Sequence, residues 1–228
     1  MKRLVLCVEG PGDEDAVPAL VGRLLSELPA ELQGHLFLDN RPLRVGAIEK
    51  ITGNRRAAEW RRFLQIAGKR PKLGAVLLIL DGDARTLEGQ PFCAAEVARM
   101  MAQRAVEAGG GSLFSVAVVF IRQEYESLLV AAARQFPGIP NDTEYPPNVE
   151  EAPRDAKDWL DQHLPEGYTP TVDQRTLTNA VIDWQPIREA QNRSFRRLEK
   201  ALVELIEAVS TGKHVCTPLP PPATDNES

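Results

Sequence analysis

The chain has 228 residues, 43% of them hydrophobic and 26% charged, with a formal net charge of −5. This length can bury one sizeable core domain, or a core domain with a small addition. No apolar run approaches the roughly 20 residues that cross a bilayer, and the net acidity argues against wholesale coating of nucleic acid.

The opening "MKRLVLCVEG" has the basic start of a signal peptide, but its apolar part is too short and Glu9 follows at once, so residues 2–8 are expected to form a first strand. "EGPGDED" breaks that strand, and a helix follows from about Asp15. Val17, Leu20, Val21, Leu24, Leu25 and Leu28 give that helix one apolar face. "HLFLD" and "LRVGAI" read as short strands joined by a turn at Asn40-Arg41-Pro42, and Trp60, Phe63, Leu64 and Ala67 form the stripe of a second helix closed by Gly68. "AVLLIL" (75–80) is continuous enough for burial on both faces of a sheet. A helix through "AAEVARMMAQRAVEA", a strand "LFSVAVVFI" (113–121) and a helix near "QEYESLLVAAAR" complete an alternating pattern. That pattern means an α/β fold with a mainly parallel sheet flanked by helices.

After Phe136 the texture changes. A Pro-rich connector leads to three helical pieces, the last with apolar residues at 195, 198, 202, 205 and 209. The expected organisation is an α/β domain over 1–135, a helical cap over 136–209 and a disordered Pro-rich tail over 210–228.

Cysteine is scarce: Cys7, Cys93 and Cys216 form no CxxC pair, which favours a reducing cytoplasm and argues against a disulfide frame or a structural zinc. The histidines His35, His163 and His214 are far apart and form no HExxH. Any metal is therefore expected to be a hard cation held by oxygen.

In a parallel sheet the residues just past the strands' carboxyl ends converge on one crevice. Glu9 ends the first strand and Asp81 a central one, and the period of two lets Asp81 and Asp83 project alike if the extended geometry persists through Gly82. Acids crowded there repel one another unless a cation neutralises them, and Mg²⁺ fits that demand. A turn at Asp-Gly, with Asp83 capping the next helix, is the plainer reading of the same residues. Between Arg41 and Lys72 basic residues crowd together; they suit either a phosphate-recruiting surface or a solvated helix face with pairs such as Arg55–Glu59 and Glu59–Arg62.

The combination of "VEGPGDED" and "LILDGDA" resembles the Toprim domain of topoisomerases, bacterial primases and the overcoming-lysogenization-defect nucleases. The resemblance carries the Toprim glutamate onto Glu9 and the Asp-x-Asp onto Asp81 and Asp83. Glu14 resembles the second glutamate of the nuclease branch, shifted by one residue. "RQEYESLLVA", "RDAKDWL" and "SFRRLEKAL" are similar to segments of a small Toprim-like family, the domain-of-unknown-function family four-two-seven-six, so the resemblance runs from about Arg3 to Val209. Gln123 stands where that family has a histidine, and no lysine follows Tyr168.

The resemblance implies a phosphodiester hydrolase, dependent on Mg²⁺ or Mn²⁺, that cleaves DNA or RNA. Glu9, Asp81 and Asp83 would bind the metal, Glu14 and Glu126 would complete a second cation position with Glu124 behind, and Lys157 would contact phosphate or the transition state. Glu124 and Glu126 lie two apart, so on one helix they face different ways; both reach its mouth if it starts later. The rival is a non-catalytic subunit paired with a separate ABC-type ATPase, like small Toprim proteins of phage-defence systems. Homodimerisation stays open. A Walker loop is excluded because the first loop lacks GxxxxGK[ST].

Overall fold

In the computed structural model, which describes residues 1–53, 57–151, 155–190 and 192–220, three apolar runs become adjacent parallel strands. These are β1 (Lys2–Val8), β4 (Leu73–Gly82) and β7 (Ser115–Arg122). Because side chains alternate along a strand, each run feeds two cores. Leu4, Leu6, Leu77, Ile79 and Val119 face one, while Val5, Cys7, Val76, Leu78 and Val118 face the other.

The helices sort by the same logic. α1 (Asp13–Glu27), α5 (Glu126–Ala132), α7 (Pro170–Ala180) and α9 (Arg193–Thr211) cover the first face. α3 (Ala57–Gly68) and α4 (Ala94–Val106) cover the second, with Trp60 fully buried and its Nε1 donating to the Met101 carbonyl at 3.0 Å. The remaining elements are α2 (Glu49–Thr52), a hairpin of β5 (Thr86–Leu87) and β6 (Gln90–Pro91), α6 (Ala156–His163) and α8 (Gln185–Glu189).

The two short segments after α1 do not pair with each other. β2 (Leu36–Leu38) lies parallel to the start of β1 and β3 (Leu43–Arg44) parallel to its end, so together they make one interrupted edge. Asp39 sits at the interruption, 4% exposed, between Arg3 at 2.7 Å and Arg70 at 2.9 Å.

The stripe from Phe195 becomes the 19-residue helix α9, which Asn192 caps by accepting from the Phe195 N–H at 2.8 Å and Gly212 ends at φ 72°. Phe195, Leu198, Leu202 and Leu205 share a core with β1, β4 and α1, and Phe195 stacks on Trp184 with ring centroids 5.4 Å apart. The expected tail from residue 210 is corrected in its first part. Ser210 and Thr211 close α9, and β8 (Cys216–Thr217) adds a parallel edge strand to β7, with Cys216 and Leu219 in the second core. A short apolar pair before a proline run carries no strand periodicity, and the pairing comes from the free edge of β7. Residues 221–228 lie outside the described ones.

Candidate metal centre

The sheet order β2-β1-β4-β7-β8 places the topological switch between β1 and β4. The chain leaves β1 for α1 on one face and β4 for α4 on the other, and the crevice that opens between them is where ligands sit in such sheets. Glu9 follows the last residue of β1, and Asp81 is the penultimate residue of β4. Both therefore stand at the switch point.

Glu9 turns toward its neighbour: its Oε2 accepts from the Asp81 N–H at 3.3 Å. Burial raises its pKa to about 7; the Asp81 N–H opposes that, and the charges of Asp83, Asp13 and Glu49 add to it. Asp81 Oδ1 accepts from the Tyr125 N–H at 3.0 Å. Its carboxyl is pushed well above the aspartate range, first by burial and then by Asp13, Glu9 and Glu126, with Lys157 opposing. Asp83, one residue past the strand, is exposed and acts on Glu9.

A fourth carboxylate belongs here. Asp13 bridges the first loop to α7, accepting from the Gly10 N–H at 2.9 Å and from Gln174 Nε2 at 2.8 Å. It was legible from helix phase, because Asp13 lies three, four and seven residues before the buried Ala16, Val17 and Leu20. The helix starts at Asp13 rather than Asp15, which puts that side chain on the inner stripe. Gly12 permits the approach: a Cβ there would stand 2.0 Å from Gln174 Oε1 and 3.1 Å from the Pro170 carbonyl. Glu14, about a quarter of a turn round the helix from Asp13, points instead to Arg44 at 3.7 Å on the rim.

The second pair of acids is gathered around an ammonium. α5 begins only at Glu126, and the chain reaches it through Gln123 at φ 67°, so Glu124 and Glu126 both sit at the helix mouth. Lys157 Nζ lies 2.7 Å from Glu124 Oε2 and 3.6 Å from Glu126 Oε2, and its backbone N–H donates to Glu124 Oε1 at 3.1 Å. The lysine is thus half-buried and paired. Glu126, 2% exposed, also accepts from the Tyr168 hydroxyl at 2.8 Å. Burial raises the Glu126 pKa, while Lys157 and the tyrosine counter it.

Four cations of the basic segment are paired. Arg44, Arg61, Arg62 and Arg70 pair with Glu14, Glu107, Glu59 and Asp39 respectively. Arg55, expected to pair with Glu59, lies outside the described residues. Cys7 and Cys216 are buried free thiols and Cys93 an exposed one.

The donor set at the switch point is all carboxylate, which is the chemistry a hard divalent cation takes. Among the described residues, no three acid, imidazole or thiol groups already stand grouped around one ion position. The acids are held as neighbours by the backbone N–H groups and side chains named above.

Residues 8–203 match the family described as Domain of unknown function (DUF4276). The chain belongs to that family. No curated protein and no solved structure matches it. No helix among the described residues is long and apolar enough to cross a membrane.

Proposed function

We propose that this DUF4276 protein is a Toprim-type phosphodiester hydrolase that acts on nucleic acid with Mg²⁺ or Mn²⁺. The observation that carries the proposal is the pair Glu9 and Asp81: two desolvated carboxylates from adjacent strand ends, Glu9 bonded to the Asp81 N–H and Asp81 to the Tyr125 N–H, with further acidic charge around each at the switch point. Crowded acids of this kind either keep protons or take a cation.

Glu9, Asp81 and Asp83 would hold the ion, with Asp13 behind them. A bound divalent ion supplies a polarised phosphate oxygen and a water of lowered pKa. In this reading Lys157 fills the place assigned from the sequence to a second cation. Its ammonium already pairs with Glu124 and Glu126, so the chain's own residues would provide one metal position and one fixed positive charge. Tyr168 and the Glu124 carboxylate orient Glu126 and Lys157 and keep that charge in place.

Purified protein incubated with plasmid and with single strands, with Mg²⁺ or Mn²⁺, tests this directly. Cleavage that disappears in Asp81→Ala is expected. Absence of cleavage by the folded protein, together with co-purification of an ATPase, would replace the enzyme with the partner-subunit reading.

A further inference from the structure

A cavity of about 780 Å³ opens beside the acids, on the α4 side of the sheet edge. Gly82, the residue between Asp81 and Asp83, forms part of its wall. A second cavity of about 460 Å³ shares Arg122, Glu150, Glu151 and Arg193 with it, so the two form one furrow leading away from the switch point. These volumes lie within the range of small-ligand sites.

The furrow has three chemically distinct parts. Its floor is aromatic: Phe120, buried in β7, meets the half-buried Phe92 edge-on, with centroids 5.6 Å apart. Its rim carries both signs, with Glu151 in the lining of both cavities and Glu189 in that of the second beside the arginines. Arg122 and Arg193 are exposed, and among the described residues neither guanidinium has a hydrogen-bond or ion-pair partner.

Between floor and rim is a buried acceptor. Gln123, 7% exposed, donates through Nε2 to the Glu150 carbonyl at 3.0 Å, and its Oε1 has no partner. That donation fixes the amide's orientation, since a carbonyl can only accept. What is left unsatisfied in the cavity wall is therefore a buried acceptor that needs an N–H or O–H. The neighbouring Glu150 carboxylate is held in the wall, where its Oε1 accepts from Ser194 N–H at 2.8 Å and Oγ at 2.7 Å.

We propose that this furrow binds one nucleotide of single-stranded nucleic acid. The base rests against Phe92 and donates to Gln123 Oε1, and the flanking phosphates lie on Arg122 and Arg193. The inference rests on nucleic acid being the substrate, as above, but not on cleavage. A duplex keeps its base faces stacked and out of reach, so the floor selects single strands. The position next to Gly82 puts the neighbouring phosphate of that strand at the acids.

The test is fluorescence anisotropy in EDTA, so that neither metal nor cleavage enters. The probes are a labelled adenine-bearing single strand, its duplex and an abasic strand of equal length. The single strand is expected to bind at least tenfold tighter than the duplex. Arg122→Ala/Arg193→Ala should weaken it at least tenfold and reduce the slope of log affinity against log salt by about 1.4, two phosphates at roughly 0.7 each. Phe92→Ala should weaken the base-bearing strand and leave the abasic one unchanged. Equal binding of duplex and single strand, or no response to either variant, overturns the proposal. Adenosine monophosphate competing as tightly as the strand overturns it too, in favour of a free-nucleotide site. The arginines are exposed, and a thermal scan checks that the variants fold. Wild-type anisotropy in the double variant with intact cleavage removes the furrow and leaves the metal site standing; intact anisotropy with no metal response does the reverse.

Discussion

Replacing Glu9 with glutamine should stabilise the metal-free protein, and only at neutral and alkaline pH. Its carboxyl has a folded pKa of about 7 against an ordinary 4.5, raised chiefly by burial. An acid whose folded pKa is raised binds protons more tightly in the native state. It therefore costs nothing below the unfolded value, costs progressively more as pH climbs from 4.5 toward 7, and costs its full amount above that. The full shift corresponds to a ceiling of about 3 kcal/mol. Glu9 keeps part of its surface in water, so screening trims the effect to roughly 1–2 kcal/mol. The amide oxygen of Glu9→Gln can still accept from the Asp81 N–H, so the native contact survives. For a chain of this length the gain is about 2–8 °C in unfolding midpoint. Urea titrations in EDTA at pH 4 and pH 8 read it out: no difference from wild type at pH 4 and a higher midpoint for the variant at pH 8. A variant less stable at pH 8, or one whose effect ignores pH, would show that Glu9 is not a crowded, desolvated acid.

Other perturbations reach the supports of the site. Lys157→Met leaves Glu124 and Glu126 without their cation; it should cost about 2 kcal/mol in urea unfolding at pH 8 and progressively less as pH falls, because the Glu126 carboxyl, raised by burial, takes up a proton more readily than an ordinary glutamate. Asp39→Ala strands Arg3 and Arg70 and should cost roughly 3 kcal/mol. Burial alone would raise the Asp39 pKa, but hydrogen bonds from Arg3, the Arg41 N–H and Arg70 hold it below 3.8. The wild-type advantage is therefore present above that value and lost as pH falls through the folded pKa, which an acid titration of both proteins reveals. Gly12→Ala drives a Cβ against Gln174 and should cost about 1–3 kcal/mol by thermal unfolding, detaching Gln174 from Asp13.

The sheet was readable because its strands are continuous apolar runs, and the mainly parallel α/β fold follows from their alternation with helices. The pairing of Cys216 and Thr217 was not readable, since two residues carry no period and the partner edge lies 100 residues back in the chain. At the site, Glu9 and Asp81 could be located from strand ends alone. Asp13 could have been found from helix phase, and its neighbour Glu14 attracted attention through motif likeness instead. Lys157 was named from family likeness, but its pairing with Glu124 and Glu126 was not readable, because it depends on where α5 starts and so on the positive φ of Gln123. The orphaned Gln123 amide oxygen is a tertiary fact of the same kind.

The most direct measurement of the central claim is a heat-unfolding titration with Mg²⁺ and Mn²⁺ on the wild type, Asp81→Asn and Asp83→Asn. The wild-type midpoint should climb with cation concentration, as it must for any ligand that binds only the native state, and both variants should lose the response. A wild-type midpoint that ignores both ions, or one that climbs equally in Asp81→Asn, would mean that the acids at the switch point hold no metal.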